Sequence, residues 1–263
     1  MRTAHDDTIQ ICLNAPFGKS VIGGKSTLRN TLGKNPAGKK TSGTATDSIT
    51  LSDDSPSGPI PKIGYNRKRL NEGEWLDDTI LNRYRELINN TCAEKKINAY
   101  VLNTQFYTKL QKNGIDSIKK QLQKTDKKTD ENSFRNKGQL LIPINVYENH
   151  WCCGVIDFKN KVIFCYDSLE MYSGQVTYEK FYITMIDCLK TMGWITPDEW
   201  ERGVDIIDPK QTNGVDCGVF LSQFMKYYSV GKPLHFTQAH INGIRAQMRR
   251  ELDGKKLEYE LPN

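Results

Sequence analysis

The stretch Gln211-Thr-Asn-Gly-Val-Asp-Cys217-Gly218 runs directly into the apolar residues 219–228. Asn213-Gly214 signals a turn. Behind it Phe220, Phe224 and Tyr227 repeat at helical spacing, beside a second stripe of Leu221, Met225 and Tyr228. Two adjacent stripes describe a helix buried over most of its circumference. Cys217 therefore stands where a turn enters a core helix. The unpaired N–H groups and the positive end of the macrodipole there favour a thiolate. Gly218 keeps the backbone beside the sulfur uncovered. A buried structural cysteine is the plain alternative. A nucleophile needs in addition a base, a group to orient that base, and donors for an oxyanion.

The chain has four histidines. His5 lies near the start, and His235 and His240 flank the beginning of the last helical stretch. His150 immediately precedes the apolar run Trp151–Phe158, which a tight Lys159-Asn160-Lys161 turn joins to Val162–Tyr166; Asp167 follows at once. This is the clearest hairpin in the sequence. With Lys159-Asn160 as a two-residue loop, His150 faces Leu169 and Asp167 is its diagonal neighbour on the same face. A slip of one residue would put them on opposite faces. The backbone N–H of Cys217 and the side-chain amide of Gln211 are candidate oxyanion donors, though Gln211 reads equally well as an ordinary loop residue. Cys152, Cys153, Cys165 and His150 share the hairpin and raise a zinc reading. Adjacent strand residues point to opposite faces and no C-x-x-C occurs, so no metal and no cofactor is expected.

The positioning elements follow from patterning. Asp77 or Asp78 caps an amphipathic helix over Thr79–Ile88, with Ile80, Leu81, Tyr84, Leu87 and Ile88 inward. Ala99–Asn103 reads as a short strand, Gln105–Gln111 as a helix ended by Asn113-Gly114, and Ile115–Gln123 as another. Lys124–Lys137 is a solvated charged loop. Gln139–Val146 is a strand whose Pro143 points to an edge or a boundary. Tyr178–Met192 is a helix with Phe181, Met185, Cys188 and Leu189 on one stripe. Val204–Ile207 is a short strand, and Thr237–Leu252 a basic helix with Ile241, Ile244 and Met248 inward.

Residues 1–62 are rich in Gly, Ser, Thr, Lys and Pro and are expected to form a disordered tail, with Ile9–Phe17 a docking segment; residues 63–263 form the folded domain. Gly24-Lys25-Ser26 fails as a phosphate loop, because Gly18 is misplaced by one residue and no strand leads in. With 37% hydrophobic and 26% charged residues the chain is ordinary globular protein, and its net charge of +6, half of it carried by the tail, implies no nucleic-acid face. Seven cysteines without framework spacing suggest free thiols in a reducing compartment. No apolar run is long enough for a membrane span or signal peptide. A monomer in the nucleus or cytoplasm is expected.

Taken in order, Trp75-Leu-Asp-Asp78, Asn103-Thr-Gln-Phe-Tyr107, His150-Trp151, Asp167-Ser168 and Gln211-x-Asn-Gly-x-Asp-Cys217-Gly resemble the signature of the ubiquitin-like-protein-specific cysteine proteases, the SUMO protease family. The resemblance runs from about Lys62 to Leu252. It implies an α+β cysteine protease fold, papain-like with its elements in permuted order, and a mixed sheet flanked by helices. His150 would be the base, Asp167 its orienter, Cys217 the nucleophile and Gln211 the oxyanion side chain. Trp75 and Trp151 would line a tunnel that only a Gly-Gly tail can thread, since a β-carbon would collide with the rings. Asp78 would meet a basic residue of the modifier. The implied activity is cleavage after the Gly-Gly of SUMO or a related modifier, in maturation or deconjugation. Alternatives are a deubiquitinase of the same fold, an acetyltransferase effector using the same triad, and a non-catalytic modifier-binding module. Asp77, Cys152 and Cys153 depart from the usual residues, and the longer 124–137 loop leaves modifier choice open.

Overall fold

The hairpin at His150 sits at the middle of the molecule. The computed structural model describes residues 64–127, 135–136, 138–169, 175–203, 205–206 and 208–262. Strands β1 (Ala99–Val101), β2 (Gln139–Val146), β3 (His150–Asp157), β4 (Val162–Tyr166) and β5 (Glu201–Arg202) form one sheet in chain order. β1 runs parallel to β2 and β5 parallel to β4, while β2, β3 and β4 are antiparallel. Around them lie α1 (Asp78–Glu94), α2 (Phe106–Asn113), α3 (Asp116–Lys127), α4 (Gln175–Thr191), α5 (Cys217–Tyr228) and α6 (Ile241–Gly254). This is the expected α+β arrangement of a mixed sheet flanked by helices.

Every residue of β3 is buried, so both faces of the strand are covered. Side-chain alternation sorts them into two core layers. Trp151, Cys153 and Val155 join the layer of α1, α5 and α6. Cys152 and Ile156 join the layer of α2, α3 and α4. The neighbouring thiols Cys152 and Cys153 thus belong to opposite layers and cannot ligate one ion.

Local sequence explains the boundaries. Asp77, not Asp78, caps α1, its carboxylate accepting from the Ile80 N–H at 3.0 Å. All five residues of the predicted stripe are buried, and the helix continues to Glu94 with Cys92 inward. Gly114, at φ 73°, ends α2 where Asn113-Gly114 was expected to stop it. The β3–β4 register is the one a Lys159-Asn160 loop requires, from Asp157–Val162 to Cys153–Tyr166. Asp157 closes that turn by accepting from the Lys159 and Asn160 N–H groups at 2.9 and 3.0 Å.

β2 lies between β1 and β3, but β1 pairing ends at Leu141, so Pro143 itself stands at an unpaired edge of the strand as expected. Two expectations need correction. The charged stretch is not simply solvated. Its first residues extend α3, and Asp126 is buried in an ion pair with Arg135, whose guanidinium lies 4.9 Å from the centre of the Trp194 ring. The strand read at Val204–Ile207 begins earlier, as β5, and Ile206 adds a single parallel bridge to Tyr166. Val204 and Ile207, most of the 124–137 loop, and the whole tail with Ile9–Phe17 and Gly24-Lys25-Ser26 fall outside the described residues. Among the described residues no helix is long and apolar enough to cross a membrane.

Candidate active site

His150 opens β3, and Asp167 follows the last residue of β4, so both stand at one end of the sheet. His150 Nε2 and Asp167 Oδ1 are 2.7 Å apart, with the two side chains 2% and 1% exposed. The Asp167 carboxylate is held further by the Leu169 N–H at 2.9 Å and by the Tyr178 hydroxyl on Oδ2. Burial alone would raise its pKa, but the bonds from His150, Tyr178 and Leu169 prevail and hold it below the usual carboxylate range.

Cys217 is the first residue of α5, 4% exposed, and hydrogen-bonds with His150. With Nε2 engaged by Asp167, Nδ1 is the ring nitrogen left for the sulfur. Burial by itself would depress the imidazole; the hydrogen bond it donates to Asp167, the contact with Cys217 and the charge of Asp167 outweigh it and raise the pKa to about 9. At neutral pH the ring is therefore an imidazolium, the partner that a reactive thiolate requires.

Two networks hold the approach to Cys217. Gln211 is tied to the residue after Asp167: its Oε1 accepts from Ser168 Oγ at 2.7 Å, and its N–H donates to the Ser168 carbonyl at 2.8 Å. Gln211 Nε2 donates to the Asn213 carbonyl at 2.5 Å, and an amide nitrogen carries a second N–H. On the other side, Asp216 makes no capping bond to α5. It accepts instead from Asn213, Gln238 and Arg245, the last at 2.5 Å. Arg245, 2% exposed, also donates to the carbonyls of Arg69, Asn71 and Glu74. One guanidinium thus joins the residue before Cys217 to the residue before Trp75. Asp216 stays ionised: burial opposes this, but Arg245, Asn213 and Gln238 lower its pKa.

The Trp75 segment rests directly on the start of α5. A Cβ at Gly218 would come 2.8 Å from Leu76 Cβ, so this buried glycine makes room for Leu76, which covers the backbone there rather than leaving it open as expected. Trp75 is 46% exposed. It lines a cleft of about 470 Å³ together with Asn149, His150, Leu169, Gln211 and the Thr212–Gly214 turn. Trp151 is placed differently, 8% exposed and packed in the core layer of α5. Asp78 heads α1, and its Oδ1 is buried without a hydrogen-bond partner. Of the other histidines, His240 is engaged in capping the last helical stretch, its ring accepting from the Thr237 N–H at 3.0 Å.

Sequence reasoning thus named His150, Asp167, Cys217, Gln211 and Trp75, which converge here. It missed Tyr178, Ser168 and Arg245. Ser168 sits in a quoted motif, and Tyr178 opens a predicted helix, but neither position carries a local signal for its bond.

A thiol at a buried helix start, an imidazole beside it and a carboxylate behind the imidazole make up the thiol-protease class of site. Residues 74–256, well over half of the chain, match the Ulp1 protease family, C-terminal catalytic domain, and the chain belongs to that family. Sentrin-specific protease 3 of Homo sapiens is 28% identical over 183 residues, 70% of this chain and 30% of that protein. A sentrin-specific protease of Caenorhabditis elegans is 34% identical over 196 residues, 70% of this chain and 26% of that protein. The chain therefore spans less than a third of the length of these relatives. The C-terminal Ulp1 protease domain solved in complex with Smt3, the yeast ortholog of SUMO, is 26% identical with a TM-score of 0.60, covering 72% of this chain and 82% of that one.

Proposed function

We propose that this domain is a thiol protease and isopeptidase that cleaves after the C-terminal Gly-Gly of SUMO or a closely related modifier. The observation that carries the reading is the buried His150–Asp167 pair, with Cys217 beside it, opening on a cleft walled by Trp75. Cys217 sulfur attacks the carbonyl carbon of the last glycine. The Cys217 N–H and the second N–H of Gln211 are the donors for the oxyanion. Collapse expels the amine, which takes a proton from His150, and leaves a thioester on Cys217. His150, now neutral, removes a proton from water; the hydroxide attacks the thioester and returns the thiolate.

Substrate choice follows from the walls. Trp75 gives an exposed indole over the path of an extended chain; Trp151, packed in the core layer behind the cleft, would serve as the inner ring only where the bound chain reaches it, and a side chain larger than glycine would then collide between the two. Asp78, half-buried at the head of α1, offers a carboxylate for a basic group of the modifier. All six described cysteines are free, which suits a nuclear or cytoplasmic place of action where Cys217 stays reduced. Acetyl transfer is disfavoured, because Asp167 stands where such effectors carry Glu and they lack the Trp75 element.

The test is covalent capture. The protein is mixed with SUMO and with ubiquitin whose C-termini carry an electrophile, and adducts are mapped by mass spectrometry. Modification of Cys217 by the SUMO probe is expected, and none in Cys217→Ala. Capture of ubiquitin alone would reassign the substrate, and capture of neither would overturn the reading.

A further inference from the structure

We propose that Tyr178 is a positioning residue of the triad, its hydroxyl fixing the Asp167 carboxylate and tempering how strongly that carboxylate draws on His150. The inference rests on the triad reading above. Asp167 has two oxygens in a site 1% exposed. Oδ1 serves the His150 ring and the Leu169 N–H, and Oδ2 is served by Tyr178. A carboxylate with every oxygen engaged cannot turn about its bond, so the ring it carries is held in one orientation. Without the phenol, an oxygen of a buried anion would lose its donor.

The fold places Tyr178 deliberately close. Side chains alternate along β3, so His150 and Gly154 share the face that meets α4. At Gly154 a Cβ would lie 2.1 Å from Cζ of Phe181, a separation no real contact allows. Phe181 is three residues beyond Tyr178, hence on the same side of α4. Its ring is braced edge-on by Tyr107 at 5.3 Å. A glycine in β3 therefore lets α4 settle onto the sheet, and the turn before Phe181 then reaches the end of β4, where Asp167 lies.

The charges around the pair fix the direction of the effect. Asp167 is faced by His150 and Cys152 from β3, Cys165 and Tyr166 from β4, and Tyr178 from α4; His150 is faced in addition by Cys217 of α5. Burial and Asp167 push the Tyr178 pKa far up, so its hydroxyl donates at every working pH. By donating, it lowers the proton affinity of Asp167 and takes up part of the charge that His150 would otherwise feel.

Tyr178→Phe removes the oxygen and keeps the ring. Expected is a roughly tenfold fall in kcat, far short of the about 10⁴-fold known for Asn in place of a triad Asp. The His150 imidazole, followed by NMR in a Cys217→Ala background, is expected to titrate at higher pH when Tyr178→Phe is added. On an Asp167→Asn background Tyr178→Phe should change kcat little, because its route of action is already cut. An unchanged or lowered His150 titration, or equal effects on the two backgrounds, would overturn the inference. Full activity in Cys217→Ser would overturn the triad reading instead, and the NMR titration would still judge Tyr178.

Discussion

A thiol becomes a useful nucleophile only when its proton has somewhere to go, and in the proposed reading that place, at Cys217, is His150. Cys217→Ser is expected to lower turnover of a modifier substrate by far more than tenfold while leaving modifier binding intact, because a hydroxyl does not ionise near neutral pH. Titration gives a second handle. The folded His150 pKa, about 9, lies above that of a free imidazole. Between the two values the folded protein binds the extra proton. Its contribution to stability is therefore complete below the free value and is lost as pH rises through about 9. The alkaline limb of kcat/KM should fall in the same region, reported as an apparent value of the Cys–His pair. Asp167→Asn removes the charge that lifts the ring, so that limb should move to lower pH; a limb that stays in place would show that Asp167 does not set it. This pair was legible because one hairpin fixes both residues, and the turn Lys159-Asn160 fixes the hairpin. Tyr178 was not, since its bond depends on how deeply α4 sits on Gly154, a tertiary contact that leaves no periodic trace.

At the scale of elements, the start of α5 is gripped from two sides. Gly218 receives Leu76, and Gly218→Ala would push a methyl to 2.8 Å from Leu76 Cβ. Overpacking of this kind costs about 1–3 kcal/mol. Part of it should appear as a higher KM, because the segment displaced carries Trp75; thermal melting and steady-state kinetics separate the two. Arg245 is the other grip. Arg245→Met leaves Asp216 charged and buried without its main partner, and a loss of about 3–5 kcal/mol in denaturant unfolding is expected. Arg245→Lys should rescue only partly, since one ammonium cannot replace a fork that meets three carbonyls and a carboxylate. The helices themselves could be read from their stripes. Their mutual grips could not, because Arg245 reads simply as one basic residue on a basic helix. Nor could β5, which the chain forms with two residues lacking any strand pattern.

For the whole molecule, the sheet separates two core layers, and the site forms at the sheet end where α5 of one layer and Asp167 beyond β4 come together. This arrangement sets where the chain can be cut. Tyr65 and Arg67 both donate to Asp253 Oδ1 at 2.9 Å, and Arg249 donates to Asn71 Oδ1 at 2.9 Å, so residues 65–71 are fastened to α6. Arg245 takes two of its carbonyls, Arg69 and Asn71, from this same stretch. We propose accordingly that residues 1–62 are a tail dispensable for chemistry and that the catalytic domain begins at 63. A chain starting at Lys62 should keep kcat on a soluble fluorogenic modifier substrate within about twofold of the full chain, because it retains every one of these bonds. A chain starting at Gly73 loses them and leaves Arg245 buried with two acceptors missing. It should melt at lower temperature and lose kcat as Asp216, and with it the start of α5, is less firmly held. Equal kcat and equal melting for the two truncations would show that the 65–71 stretch is incidental to the site, and a loss already present at Lys62 would place part of the fold in the tail.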